Sequence, residues 1–172
     1  EAFRREVQAV AGLGHPGVVQ VLDTGTVDGA AAEASKGRLV EGSPFLAMEL
    51  AQGSLRDREP PDSFEVLRLW LLWLLDILAE AHAQGVVHRD LKPGNVLWFE
   101  EPAIPGDVDG ASRLRLADFG LAHAMFGDDV SRGTAGTPTY MAPEQFRGRW
   151  RDFGPATDLY AIGCMAYAFA SG

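Results

Sequence analysis

Three short stretches of the chain carry residue types suited to moving a phosphoryl group. His88-Arg89-Asp90-Leu91-Lys92-Pro93-Gly94-Asn95 puts a carboxylate, an ammonium and an amide within six positions of one loop. A carboxylate at Asp90 can orient a hydroxyl and take its proton. The Lys92 ammonium can neutralise a moving phosphoryl group, and the Asn95 amide oxygen can ligate magnesium. Asp118-Phe119-Gly120 adds a hard oxygen for a divalent cation, an apolar anchor and a glycine pivot. Gly136-Thr137-Pro138-Thr139-Tyr140-Met141-Ala142-Pro143-Glu144 is a proline-bearing loop that closes into a helix. Taken singly, each stretch has a plain reading: a polar surface turn, a chance tripeptide, a loop end.

The elements that must position these residues follow from periodicity. Phe3, Val7, Val10 and Ala11 have helical spacing, ended by Gly12, Gly14 and Pro16. Val18 to Leu22 and Phe45 to Leu50 are apolar runs of strand length. Gly29 to Ser43 is small and polar without a period and is expected to be a loop insertion. Ser54 to Ser63 is a polar connector. Phe64 to Gln84 predicts a long helix stopped by Gly85. Val86 to His88 is expected as a short strand entering the first polar loop. Val96 to Phe99 and Leu114 to Leu116 are expected to pair as a hairpin, with Glu100 to Ser112 as an excursion between them. Asp118 to Glu144 has no sustained period, and a loop of that length is usually functional. Asp158 to Ser171 predicts a final apolar helix.

Composition bounds the possibilities. The chain has 172 residues, 47% hydrophobic and 23% charged, enough for a folded domain with a sizeable core. A formal net charge of −9 argues against nucleic acid as a partner, because phosphate neutralisation needs a basic face. The single cysteine, Cys164, cannot form an internal disulfide, and a reducing compartment is the simplest reading. It lies in an apolar run and is expected to be a small buried side chain. The apolar core of the long helix, Leu69 to Leu75, is too short to cross a bilayer.

Together, in this order, the three stretches resemble the catalytic loop, the magnesium loop and the end of the activation segment of protein kinases. Lys92 and the pair Gly136-Thr137 are similar to the serine/threonine class, and the alanine- and glycine-rich style resembles bacterial members. Gly94 departs from the glutamate or alanine commoner at its position. The resemblance implies an α+β, protein-kinase-like fold with a partial small lobe (1–51) and a mainly helical partial large lobe (52–172). The chain is expected to be a fragment running from the C-helix to the F-helix, without the phosphate loop and ATP-binding lysine, and inactive by itself.

The resemblance also implies roles. Asp90, Lys92, Asn95 and Thr137 are the expected catalytic group. Asn95 and Asp118 would hold Mg2+, with Mn2+ as a possible substitute. Glu6 would pair with the ATP-binding lysine. Met48 stands at the gatekeeper position, Glu49 to Ala51 at the hinge that meets adenine, and Leu97 under the adenine ring. Val10, Val21, His88 and Phe119 match the apolar column that joins the lobes. Asp158 resembles the buried acid that holds the catalytic loop's backbone, and Glu144 the acid that pairs with a late arginine. Arg89 and His123 would receive a regulatory phosphate on Ser131 or Thr134. Implied partners are ATP and a protein substrate with Ser or Thr, with no nucleic acid and no membrane contact in this segment. The implied location is the cytoplasm, or the cytoplasmic membrane face if the parent protein is anchored.

Two other readings are open to these residues. A small-molecule phosphotransferase shares a histidine-x-aspartate loop ending in asparagine but lacks the Gly136 to Glu144 pattern. A pseudokinase would be a binding module, against which intact Asp90, Asn95 and Asp118 speak.

Overall fold

The computed structural model describes residues 12–107, 110–119 and 138–171. They form two compact units, of which the smaller is Val19–Leu50. The larger holds all three polar stretches, as far as they are described.

The smaller unit is an antiparallel ribbon of β1 (Val21–Thr26) and β2 (Pro44–Met48), with a bulge between Val21 and Asp23. The first strand therefore starts three residues later than the apolar run Val18 to Leu22 predicts. The segment 29–43 is not all loop, as expected: α1 spans Gly29–Ala34. The alanines that read as merely small are the best helix formers. Asp28 caps the helix, its Oδ1 accepting from the Ala31 N–H at 2.7 Å. No residue of α1 is buried, so tertiary packing adds little to it.

The larger unit is built on two helices. α2 (Phe64–Ala83) buries Leu67, Trp70, Leu74, Ile77, Leu78 and Ala81, a stripe at three- and four-residue spacing. Ser63 caps its start, and Gly85, at φ +75°, lets the chain turn so that the Val86 N–H reaches the Ala81 carbonyl at 2.9 Å. α4 (Pro155–Ser171) buries Thr157, Asp158, Ala161, Ile162 and Met165, and packs on α2. A short helix, α3 (Pro143–Phe146), precedes it. Cys164 is half-buried.

A small antiparallel sheet in the order β3-β4-β5 completes this unit: Gly53–Ser54, Val96–Trp98 and Leu114–Leu116. The expected hairpin is β4 with β5, in register Val96 with Leu116 and Trp98 with Leu114. The sheet is locked to α2 by the Trp73 indole, which donates to the Leu114 carbonyl at 2.7 Å. Val18 is not part of β1; it makes a single parallel bridge to Leu116. Val86 to His88 is not a strand: the Val86 N–H goes to the Ala81 carbonyl, and the His88 N–H has a side-chain acceptor described next. The predicted helix from Phe3 lies outside the described residues except for its end.

Candidate active site

The loop that carries Asp90 is held from below by one buried carboxylate. Asp158, only 1% exposed at the start of α4, accepts from the His88 N–H through Oδ2 at 2.8 Å. Its Oδ1 accepts from the Arg89 N–H at 2.8 Å. His82, at the end of α2, adds a ring contact from Nε2 to Oδ2 at 2.8 Å. A buried acid surrounded by three partners is satisfied, and each stranded donor would cost free energy. These bonds replace the strand expected at 86–88.

Arg89 pays for this anchoring with strain: its φ is +67°, in the left-handed region that side chains disfavour. Such a residue costs about 1–3 kcal/mol and persists only where its surroundings over-determine it. Here the Arg89 N–H is taken by Asp158 and its carbonyl accepts from Gln145 Nε2 at 2.6 Å. Gln145 also reaches back with Oε1 to the Ala142 N–H at 2.9 Å. One side chain thus ties the start of α3 to the Asp90 loop. Sequence reading missed Gln145, because Ala142 at the cap lacks the side-chain acceptor that would complete a recognisable capping box.

His88 is fully buried. Its Nε2–H donates to the Ala117 carbonyl at 2.9 Å, and its Nδ1 accepts from the Asp90 N–H at 3.4 Å. Burial pushes its pKa below the ordinary imidazole value of 6.5, against the pull of Asp158 and Asp90. The neutral ring suits this donor–acceptor pair. It also stacks on Phe119, with centroids 4.6 Å apart.

Above this base, the structure brings Asp90, Lys92 and Asn95 together. Lys92 Nζ donates to Asp90 Oδ2 at 2.6 Å. Asn95 Nδ2 donates to the Asp90 carbonyl at 2.8 Å and to Oδ2 at 3.1 Å. That orients the amide and leaves its oxygen as the group available to a cation. Asp90 and Lys92 remain about one-third exposed, at 32% and 27%. The Ala117 N–H donates to the Asn95 carbonyl at 3.0 Å, linking this loop to the Asp118 stretch. Phe119 is buried while Asp118 is exposed, its backbone turned by a φ of +60°. One amide oxygen and one carboxylate are a hard donor pair that fits a magnesium ion.

The remaining expected site residues sit as follows. Leu97 is half-buried on β4, opposite Arg115 on one side and Ser54 on the other. Met48 ends β2 and pairs with Val21. Glu49 accepts from the Gln20 N–H through Oε1 at 2.8 Å. Ala51 is half-buried in the larger unit. Glu144 is half-buried and takes the Thr157 hydroxyl at 2.7 Å, so it has a partner without an arginine. Glu6, Val10, His123, Ser131, Thr134 and Thr137 lie outside the described residues.

Comparison with known proteins decides the family. The Protein kinase domain model matches residues 1–172. The chain belongs to the protein kinase domain family. It is 35% identical over 183 residues to the serine/threonine-protein kinase PknA of Mycobacterium tuberculosis, covering 100% of this chain and 37% of that protein. It is 34% identical to the serine/threonine-protein kinase PknB of Mycolicibacterium smegmatis, over 99% of this chain and 25% of that protein. It is 33% identical to the probable serine/threonine-protein kinase PknB of Bifidobacterium longum, over 99% of this chain and 24% of that protein. The chain therefore spans from 24% to 37% of the length of these relatives. The match supports the Hanks-type, bacterial-like kinase resemblance and the α+β kinase fold. Protein kinases use ATP and a divalent metal ion and act on protein substrates. Among the described residues, no helix is long and apolar enough to cross a membrane.

Proposed function

We propose that this chain is the phosphoryl-transfer part of an ATP-dependent serine/threonine protein kinase in bacterial signalling. The observation that carries the reading is the Lys92–Asp90–Asn95 cluster set on the Asp158 anchor. Asp90 orients the acceptor hydroxyl. As the hydroxyl oxygen bonds to the γ-phosphorus and the bond to the β–γ bridging oxygen breaks, the hydroxyl proton passes to the Asp90 carboxylate and ADP leaves. Lys92 offsets charge on the moving phosphoryl group. Mg2+, or Mn2+, held by the Asn95 amide oxygen and the Asp118 carboxylate, would supply neutralisation of phosphate charge. Most of the acceleration in such a site comes from positioning and from preset charge, which explains why this loop is anchored so firmly.

The same reading assigns adenine contacts to Met48, Glu49, Ala51 and Leu97, lysine pairing to Glu6, and contact with Asp90 to Thr137. It assigns phosphate-dependent control to Arg89, His123, Ser131 and Thr134, and a cytoplasmic location to the domain. The test uses the full-length protein. Asp90→Asn is expected to lower turnover by about 10²–10⁴-fold while nucleotide affinity stays near the parent value. Asp118→Asn is expected to weaken magnesium-dependent nucleotide binding as well. Equal loss of nucleotide affinity in both variants would refute these roles.

A further inference from the structure

Beside the phosphoryl-transfer residues lies a cavity of about 580 Å³ in the larger unit. Its walls include Arg56, Arg58, Lys92, Gly94, Tyr140 and Phe169. Three cations line it and no carboxylate does, among the described residues, although the chain's formal net charge is −9. Asp57 and Glu59 alternate with the two arginines in sequence, yet neither reaches the cavity, and Asp57 instead accepts from the Ser54 hydroxyl at 2.9 Å.

The charge is uncommitted at two of the three cations. Lys92 is paired with Asp90 at 2.6 Å. Arg56 and Arg58 make no ion pair among the described residues. Arg58 is placed by stacking, its guanidinium 4.0 Å from the Trp98 ring centroid. Arg56 is placed beside Gly94: a Cβ at that glycine would stand 3.9 Å from Arg56 Cδ. Gly94 itself brings no side chain into the cavity.

We propose that this cavity is a specificity subsite for an anionic side chain, carboxylate or phosphate, flanking the acceptor serine or threonine of the protein substrate. The inference rests on the kinase reading above. Lys92 is both a wall of the cavity and a partner of Asp90, so an occupant of the cavity stands beside the acceptor hydroxyl. Guanidinium groups bind carboxylate and phosphate through paired charge-assisted hydrogen bonds, and a basic cavity disfavours a lysine or arginine at the same place.

The experiment takes the full-length protein and four peptides of one sequence, with Glu, Gln, Lys or phosphoserine beside the acceptor. Both kcat/KM and Kd, by fluorescence anisotropy, are measured for each. The Glu peptide is expected to exceed the Lys peptide by about tenfold in both, with an advantage that shrinks in salt. Arg56→Glu combined with Arg58→Glu is expected to reverse the order, and Arg56→Lys with Arg58→Lys to preserve it. A phosphoserine peptide preferred over Glu identifies phosphate as the ligand; a Glu peptide preferred over phosphoserine identifies carboxylate. Equal values for Glu and Lys peptides, or an order unmoved by charge reversal in a variant with parental circular dichroism, overturn the subsite. Absence of transfer to any peptide removes the kinase reading, and the Kd series then still decides whether the basic cavity selects anions.

Discussion

The two compact units differ in what holds them. The larger has a continuous core from Leu13 through α2, β4, β5 and α4, with Leu74, Ile77, Leu78, Val96, Leu114, Leu116 and Met165 each at most 1% exposed. The smaller, Val19–Leu50, buries only Val19 and Val27, and its two strands rest mainly on their own ladder. An isolated two-stranded ribbon is marginal in water, whereas a sheet packed on helices is not. The lesson is where precision is kept. The residues that must hold a reacting geometry sit in the unit with a deep core.

The largest expected effect that sharpens this contrast comes from Asp158→Ala. It strands the His88 and Arg89 N–H groups and the His82 ring, and is expected to lower stability by about 4 kcal/mol in urea unfolding. A loss below that of an ordinary surface change would mean the carboxylate is not the anchor. Next, Leu74→Ala is expected to cost about 3 kcal/mol, because the site is fully packed. Leu46→Ala on half-buried β2 is expected to cost well under half of that, and equal costs would break the contrast.

A pH effect follows. The folded-state pKa of His88 is lowered, so below about pH 6.5 the unfolded chain binds more protons than the folded one. Its contribution is fully present above that value and declines as pH falls toward the folded pKa. Urea midpoints taken from about pH 7.5 down to 5.5 are expected to fall, and to fall less steeply in His88→Phe. An unchanged slope in the variant would assign the effect to another group. The smallest effect is expected from Asp28→Ala, about 1 kcal/mol confined to α1, read as faster amide exchange at 31–33 with little change in global unfolding.

What could be read from the sequence was what is periodic or locally dense in chemistry. The apolar stretch from Phe64 to Gln84 and the apolar run after Asp158 announced α2 and α4, and Val96 to Phe99 with Leu114 to Leu116 announced the hairpin. The Asp90–Asn95 loop was legible because its groups lie within a few residues. What stayed hidden depends on distant partners. The two-residue strand β3 has no period of its own, and exists through pairing with Leu97 and Trp98. The extended look of Val86 to His88 gave no hint that a carboxylate 70 residues later takes the His88 N–H. The Gln145 bridge to Arg89 spans 56 residues and leaves no mark in either local pattern. At Gly29 to Ala34 the miss was of another kind, a run of alanines classed by size rather than by helix propensity.

The placement of the indole rings has a consequence for spectroscopy. The chain's four tryptophans are Trp70, Trp73, Trp98 and Trp150, and its three tyrosines are Tyr140, Tyr160 and Tyr167; none falls between positions 19 and 50. Trp73 is hydrogen-bonded to Leu114, and Trp70 lies near both Trp98 and Phe169. Intrinsic emission therefore reports melting of the large unit and is dark to the ribbon of β1 and β2. A fluorescence curve and a far-ultraviolet dichroism curve that separate on heating would reveal the ribbon letting go first, with no label attached to the protein.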